Sequence, residues 1–420
     1  MGLTFYDILT TLTCGRGGTF TQEEDGRYRY HASGEEPRII AGSRSGLPFL
    51  ARGKNQKKPE ETYQAVFLTP SVLEDLRQRA LEQRGSPMLD FATEIRPLID
   101  LEIQLVYFKQ TICARCGQEA AHEFACQFIH EATDPLGRER VLKKFDLQDT
   151  APHALEQLAR PFADQHFVSS EDFCQHLLAY HCQDVAQARL GNLDSPLKAA
   201  FDVPRDIRLM ICTAVNFSGL LPSSQREFER HYVPSCALVS TGPPLFRVCQ
   251  LMALIEAGIV EVVGPDMQVI CDVQQQCFTV FSPQVTGSVR QATVLIEARL
   301  PDPCLPKNAS PLFQQLFADG LISEYINSDP TSEDRLRTGG VAVTPAPYRV
   351  IDRLGHVNAN FYAIGIPTEH TLWFTQVGSS RPGCETQFSR EANAIASDIV
   401  QHSSDQRHSL RRKATWQSLR

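Results

Sequence analysis

Two spacings of apolar residues alternate along this chain, and the changes from one to the other mark its elements. A 3.6-residue period predicts an amphipathic helix over Leu3–Leu12, ended at Gly15. A polar hairpin follows at Glu23-Glu24-Asp25-Gly26, and then a strand, Arg38-Ile39-Ile40-Ala41-Gly42, that runs directly into Ser43-Arg44-Ser45-Gly46-Leu47-Pro48. From Pro70 to about Arg230 the period is helical almost throughout, as in Phe91, Ile95, Leu98, Ile99 and Glu102, Ile103, Val106, Tyr107. Between Ala237 and Arg299 the pattern becomes mixed. It predicts a helix over Phe246–Ala257 stopped by Gly258, a strand Ile259–Val263, short strands near Val269 and over Phe278–Val280, and an apolar strand Thr293-Val294-Leu295-Ile296. The last stretch predicts a helix over Leu312–Phe317, strands Val341–Val343 and Asn360–Gly365, and a closing helix Glu391–Val400. The polar, basic tail after His402 reads as disordered. No internal repeat is visible.

Composition narrows the function classes. With 420 residues, 42% hydrophobic and 21% charged, the chain can build two or three cored domains. Its net charge of −8 gives no footprint for nucleic acid or an anionic membrane surface, so neither is expected as a partner. Met1–Leu12 carries Asp7 rather than a basic n-region, which reads as no secretory leader. The thirteen cysteines then read as reduced thiols, and the expected location is cytoplasmic.

The order of the elements carries the chemical information. Met1-Gly2-Leu3-Thr4-Phe5-Tyr6-Asp7 reads as the late half of a glycine turn entering a helix, with no strand before it, so a first strand and its phosphate-facing turn are expected to be missing. In a nucleotide-binding module the end of the second strand meets the adenosine ribose, and an arginine there pairs with a 2′-phosphate. Here that strand ends in Ser43-Arg44, with Arg52, Lys54, Lys57 and Lys58 close behind, which favours NADPH over NADH. A solvated basic loop is the competing reading. Cys113, Cys116, His122, Cys126 and His130 have zinc-like residue types, yet they sit in a helical pattern, where cysteines serve as small packing residues, so no metal site is expected. Gly42-Ser43-Arg44-Ser45-Gly46 lacks the central serine of a nucleophile elbow, and the catalytic residues are left unassigned.

Taken together, Gly2-Leu3-Thr4-Phe5-Tyr6-Asp7, Gly42-Ser43-Arg44-Ser45-Gly46-Leu47-Pro48, Ser240-Thr241-Gly242-Pro243-Pro244 and Gly365-Ile366-Pro367-Thr368-Glu369 through Trp373-Phe374-Thr375-Gln376-Val377-Gly378 resemble the FAD/NAD(P)-binding oxidoreductases. These are flavoproteins with two dinucleotide-binding domains, related to flavin monooxygenases and N-hydroxylases. Arg189-Leu190-Gly191-Asn192-Leu193-Asp194-Ser195-Pro196-Leu197-Lys198 also fits. The resemblance implies an α/β, incomplete Rossmann-like fold with a large helical insertion. Residues 1–65 would open the NAD(P)-binding domain without its first strand and 66–235 would be the insertion. Residues 236–300 would return to the NAD(P)-binding domain, 301–400 would form the C-terminal part of the FAD-binding domain, and 401–420 a disordered tail.

The same resemblance implies FAD and NADPH as cofactors, with Gly2, Thr4, Ser43, Arg44, Gly365, Ile366, Thr368, Trp373 and Gln376 around them. It also implies oxidation or hydroxylation of a small metabolite, as in secondary metabolism. Departures accompany it: no G-x-G-x-x-G occurs, Arg299 stands where a glycine would be, and no acid follows Gly365, so Thr368, Glu369 or backbone groups would replace it. A separate polypeptide supplying an N-terminal FAD-binding half is therefore a candidate partner, and a non-enzymatic or partner-dependent fragment is the alternative reading.

Overall fold

The computed structural model describes residues 1–58, 61–150, 155–375 and 386–417. Helix outweighs strand, at 48% against 14%, as the long helical period between Pro70 and Arg230 requires. The chain forms two compact units. The first comprises Met1–Phe67, Pro97–Ile207 and Phe228–Leu300, and the second Leu68–Arg96, Arg208–Glu227 and Pro301–Arg420. The segment expected as one helical insertion, residues 66–235, is thus shared between both units.

In the first unit, the helix Leu3–Leu12 forms where the period places it and buries Phe5, Tyr6 and Leu9. A single 3-10 turn, Cys14–Arg16, then hands over to left-handed Gly17, a conformation glycine adopts without a Cβ clash. The polar Glu23–Gly26 segment is the turn of a hairpin between strands Thr19–Gln22 and Tyr28–His31. Strand Ile39–Ala41 runs parallel to Val260–Val262, with Ile39, Ile40 and Ala41 opposite Val260, Glu261 and Val262. The helix Leu245–Glu256 leads into the second of these strands through left-handed Gly258. Among the described residues, this two-stranded pair is the parallel sheet that the first unit contains. Beside it, strands Gln268–Asp272, Cys277–Phe281 and Arg290–Ala292 form an antiparallel meander.

A separate apolar cluster holds the helices Arg96–Cys116, Gln118–Glu131 and Pro135–Lys144 together. Phe108, Phe124 and Phe128 lie fully buried within it and meet edge-on or tilted, as aromatic quadrupoles favour.

One strand expectation fails. Thr293–Ile296 is irregular, and Val294, Leu295 and Ile296 are exposed. β-propensity does not by itself make a strand; a neighbour must take its N–H and C=O groups, and no pairing of these residues exists among the described ones.

The second unit is built around Leu305, Ile322, Val341, Val343 and Val350, with Phe217, Tyr348 and Phe361 packed against them. Strand Glu324–Ser328 pairs antiparallel with Arg335–Val341, and Arg349–Ile351 with Val357–Tyr362. The expected strand Val341–Val343 is the end of the former pair plus a single bridge from Val343 to Val350. The helix Pro70–Arg84 is capped by the Thr69 hydroxyl and closed by left-handed Gly85. The closing helix runs from Gln387 to Gln417, longer at both ends than the period alone indicated, so most of the tail expected to be disordered is helical. Among the described residues, no single helix is long and apolar enough to cross a membrane.

Candidate functional site

The residues expected to face NADPH lie in the first unit. Gly2 is the N-cap of the first helix, and a Cβ there would stand 3.5 Å from the Phe49 ring. Phe49 also donates its N–H to the Met1 carbonyl at 2.9 Å, while its own carbonyl accepts from the Tyr6 hydroxyl at 2.8 Å. The open end of this helix therefore packs on the segment following Ser43-Arg44. Thr4 is half-buried on its first turn. Ser43 is half-buried, and its carbonyl and that of Arg44 accept from Met267 and Asp266, so the chain leaves the strand along a fixed path. Gly42 and Gly46 make this path possible. A Cβ at Gly42 would meet Met267 Sδ at 2.2 Å, and at left-handed Gly46 it would meet the Pro265 nitrogen at 2.7 Å. Arg44 itself is exposed at the strand tip, and no hydrogen bond or ion pair of its guanidinium occurs among the described residues.

Of the basic residues behind Arg44, Arg52, Lys54 and Lys58 are exposed, but Lys57 is not the free cation that its sequence suggests. Lys57 is only 13% exposed and pairs with Asp206 at 2.8 Å and Asp202 at 3.3 Å. It is one of the residues 51–58 that a latch pins in place. The latch is the stretch Asp184–Asp206, and Arg189–Lys198 within it supplies several of its contacts. The Asn192 side chain accepts from the Gln56 N–H at 2.8 Å and donates to Asp202 at 2.7 Å. Ser195 caps the helix Pro196–Asp206 by accepting from the Lys198 N–H at 3.1 Å. At Gly191 a Cβ would stand 2.1 Å from Gln56 Oε1. The Lys198 ammonium, almost fully buried, pairs with Asp184, and the two divide the backbone of Ala51 between them. Asp184 accepts its N–H at 2.8 Å and Lys198 donates to its carbonyl at 2.7 Å. Burial pushes the Lys198 ammonium below its ordinary range, opposed by Asp184.

The residues expected around FAD lie in the second unit. Gly365 is left-handed with open space where a Cβ would be, and Ile366 is exposed. The side chains beyond them are already committed. The Thr368 hydroxyl donates to the Gly365 carbonyl at 2.8 Å. Buried Glu369 accepts from the N–H of Phe374 at 2.9 Å, the N–H of Thr375 at 2.7 Å and the Thr375 hydroxyl at 2.5 Å. Both side chains are thus already bonded within the loop in which they stand. Trp373 is buried against Phe374, whose ring carries the Arg208 guanidinium at 3.7 Å. Gln376 and Gly378 lie outside the described residues.

That loop frames a cavity of about 570 Å³ lying wholly in the second unit. The Trp373 N–H donates to Asn216 Oδ1 at 2.8 Å and its carbonyl accepts from the Cys212 thiol at 3.5 Å; both partners line the cavity. The helix Pro70–Arg84 contributes Arg77, which donates to the Thr213 carbonyl at 2.5 Å. The closing helix contributes Gln387, Arg390 and Glu391. Glu391 is buried, accepts from Gln387 at 2.9 Å, and its carboxyl is pushed up by burial. Strain gathers here: of the nine non-glycine residues with left-handed φ among the described residues, Phe217, Ser218 and Tyr348 line the cavity and His370 and Phe374 stand in the framing loop. Such conformations cost of order 1–3 kcal/mol each and cluster at functional sites.

The spacing of Gln387, Arg390 and Glu391 at i, i+3 and i+4 puts them on one helix face, which sequence could show. Their meeting with Arg77, some three hundred residues earlier, it could not. The cysteines of the zinc-like cluster stay apart from any ligand set: Cys126 Sγ lies 3.7 Å from His122 Nε2, and no group of three metal-binding side chains occurs among the described residues.

Among known proteins, the similar class is that of amino-acid N-monooxygenases. The chain is 39% identical over 415 residues to an L-aspartate N-monooxygenase (nitrosuccinate-forming) of Streptomyces davaonensis, covering 99% of this chain and 62% of that protein. It is 37% identical over 397 residues to a nitrosuccinic acid synthase of Aspergillus oryzae, covering 94% of this chain and 59% of that one. To an L-aspartate N-monooxygenase of Streptomyces cremeus it is 37% identical over 401 residues, with coverages of 95% and 59%. The chain therefore spans about three fifths of the length of these relatives. No protein-family model matches it. The resemblance to N-hydroxylating oxidoreductases is met in these relatives, which are enzymes, two of them by name N-monooxygenases and one a nitrosuccinic acid synthase.

Proposed function

We propose that this chain carries out, or forms the larger part of a protein that carries out, FAD- and NADPH-linked oxidation of the amino nitrogen of L-aspartate toward nitrosuccinate. The observation that carries this reading is the 39% identity, over 99% of the chain, to an L-aspartate N-monooxygenase. Identity of this extent spans the strand tip at Arg44, the latch and the cavity wall together, rather than one motif.

The residues present fit NADPH at one point. Arg44 offers a guanidinium fork at a strand tip whose backbone is fixed by Asp266 and Met267, and a 2′-phosphate is the anion that such a fork binds through paired, charge-assisted bonds. For FAD the fit is by backbone rather than by a carboxylate, since Thr368 and Glu369 are spent on their own loop. Gly365 and Ile366 have the open approach that a cofactor needs. When bound, the two cofactors supply the redox chemistry. This chain's residues orient them, exclude water and hold the amino acid.

A second arrangement of the same activity has a further polypeptide completing the FAD site, since at the Gly365 loop only backbone is open to the cofactor while Thr368 and Glu369 are bonded within their own loop. One experiment addresses both: the purified chain is mixed with FAD, NADPH and L-aspartate, and NADPH oxidation and nitrosuccinate are measured. Aspartate-dependent turnover by the chain alone supports the first arrangement. Flavin retained only after adding a polypeptide equivalent to the rest of the relatives supports the second. A chain that neither retains flavin nor oxidises NADPH under either condition defeats both.

A further inference from the structure

We infer that the cavity of the second unit is the seat of the acidic amino acid, with Arg77 and Arg390 facing its two carboxylates and Glu391 its ammonium. The inference rests on the function proposed above and adds where the substrate sits and which groups select it.

The argument is one of charge inventory in a strained, pre-shaped space. Of the fourteen residues lining the cavity, three are charged: two guanidiniums and one carboxylate. An α-amino dicarboxylic acid carries the inverse set, two carboxylates and one ammonium. Arg77 spends one Nη on the Thr213 carbonyl, which fixes its plane and leaves the rest of its five-donor fork for a ligand. Arg390 is exposed and shares with Gln387 and Glu391 the face of the closing helix that lines the cavity. Glu391 is 5% exposed and accepts one hydrogen bond, from Gln387, with no cation paired to it among the described residues. A buried carboxylate without a cation is costly, and an ammonium ligand supplies the missing charge. Burial raises its carboxyl, which accords with that missing charge. Asn216, Ser218 and Gln387 add neutral donors and acceptors on the same wall. The volume, about 570 Å³, falls in the range of small-molecule sites.

The test compares binding of L-aspartate, succinate and L-asparagine to the full 420-residue chain by titration calorimetry, with and without added FAD. Wild type should bind L-aspartate best; succinate lacks the ammonium and asparagine the second negative charge. Arg390→Gln should weaken aspartate and succinate alike, by tenfold or more. Glu391→Gln should weaken aspartate by tenfold while leaving succinate unchanged or tighter, which is a pattern that a general loss of structure cannot give. Arg390 is exposed and Glu391→Gln is isosteric, so both variants should keep the wild-type thermal unfolding curve. Absence of saturable aspartate binding to wild type, or binding that neither variant alters, overturns the assignment. The outcomes also separate from the proposed function: nitrosuccinate formation with an unchanged KM in both variants removes the seat and leaves the activity. The expected binding pattern without any oxidation product leaves the seat and removes the activity.

Discussion

Replacing Lys198 by methionine tests whether the latch holds the loop behind Arg44 or merely touches it. The change deletes a buried ammonium, its bond to the Ala51 carbonyl and its place 5.3 Å from the Phe201 ring centroid, while leaving the Asp184 carboxylate 3% exposed and without its cation. Stranding one member of a buried ion pair costs about 3–5 kcal/mol. Asp184→Leu should cost a similar amount by stranding the ammonium and the Ala51 N–H. The double variant carries no stranded charge, but both backbone groups of the fully buried Ala51 lose partners, at roughly 1–3 kcal/mol each. Its loss should therefore fall short of the sum of the single losses, by roughly 4 kcal/mol at the middle of these ranges. Native-state hydrogen exchange at Ala51, Lys54 and Asn192 reads this locally, because the last two amides bond to the Ala188 and Lys54 carbonyls in the same latch. Tryptic cleavage at Arg52 and Lys54 should accelerate in the single variants. Strictly additive losses, or a Lys198→Met protein protected within about 1 kcal/mol of wild type, would refute the view that this pair fastens the loop.

Three further outcomes follow from the same geometry. His181 is wholly buried with neither ring nitrogen hydrogen-bonded among the described residues, and burial pushes it down to about 4 from an ordinary 6.5. Above pH 6.5 both folded and unfolded forms are neutral there. As pH falls from 6.5 to 4 the unfolded chain takes up a proton that the folded one refuses, so stability should drop by roughly 3 kcal/mol and then level off, and His181→Phe should remove that slope in acid denaturation profiles. Gly242→Ala places a Cβ 1.6 Å from the Leu50 carbonyl oxygen, a backbone clash that should cost about 1–3 kcal/mol or more; an unchanged melting temperature would show that the two segments do not meet so closely. Arg44→Ala should weaken NADPH by at least about tenfold and NADH little, since one charge-assisted fork is worth about 1.5–3 kcal/mol, and equal effects on the two nucleotides in fluorescence titrations would remove the 2′-phosphate assignment.

Periodicity in the sequence was enough for the local elements. The helix Leu3–Leu12, the helix before Gly258 and the parallel strand at Ile39–Ala41 all form where spacing and stop signals put them, because helix and strand periods are local properties of the backbone. The order of motifs along the chain, too, carries the resemblance to N-hydroxylating enzymes. Three things needed the tertiary structure, each because it depends on a distant partner. Lys57 counts as a free cation in sequence and as an ion-paired, half-buried one in space, since Asp202 and Asp206 approach it from the helix Pro196–Asp206. Val294–Ile296 has the composition of a strand and no ladder to join. The cavity gathers Arg77, Asn216, Tyr348 and Glu391 from four remote stretches, and no local spacing encodes a charge pattern assembled across such distances.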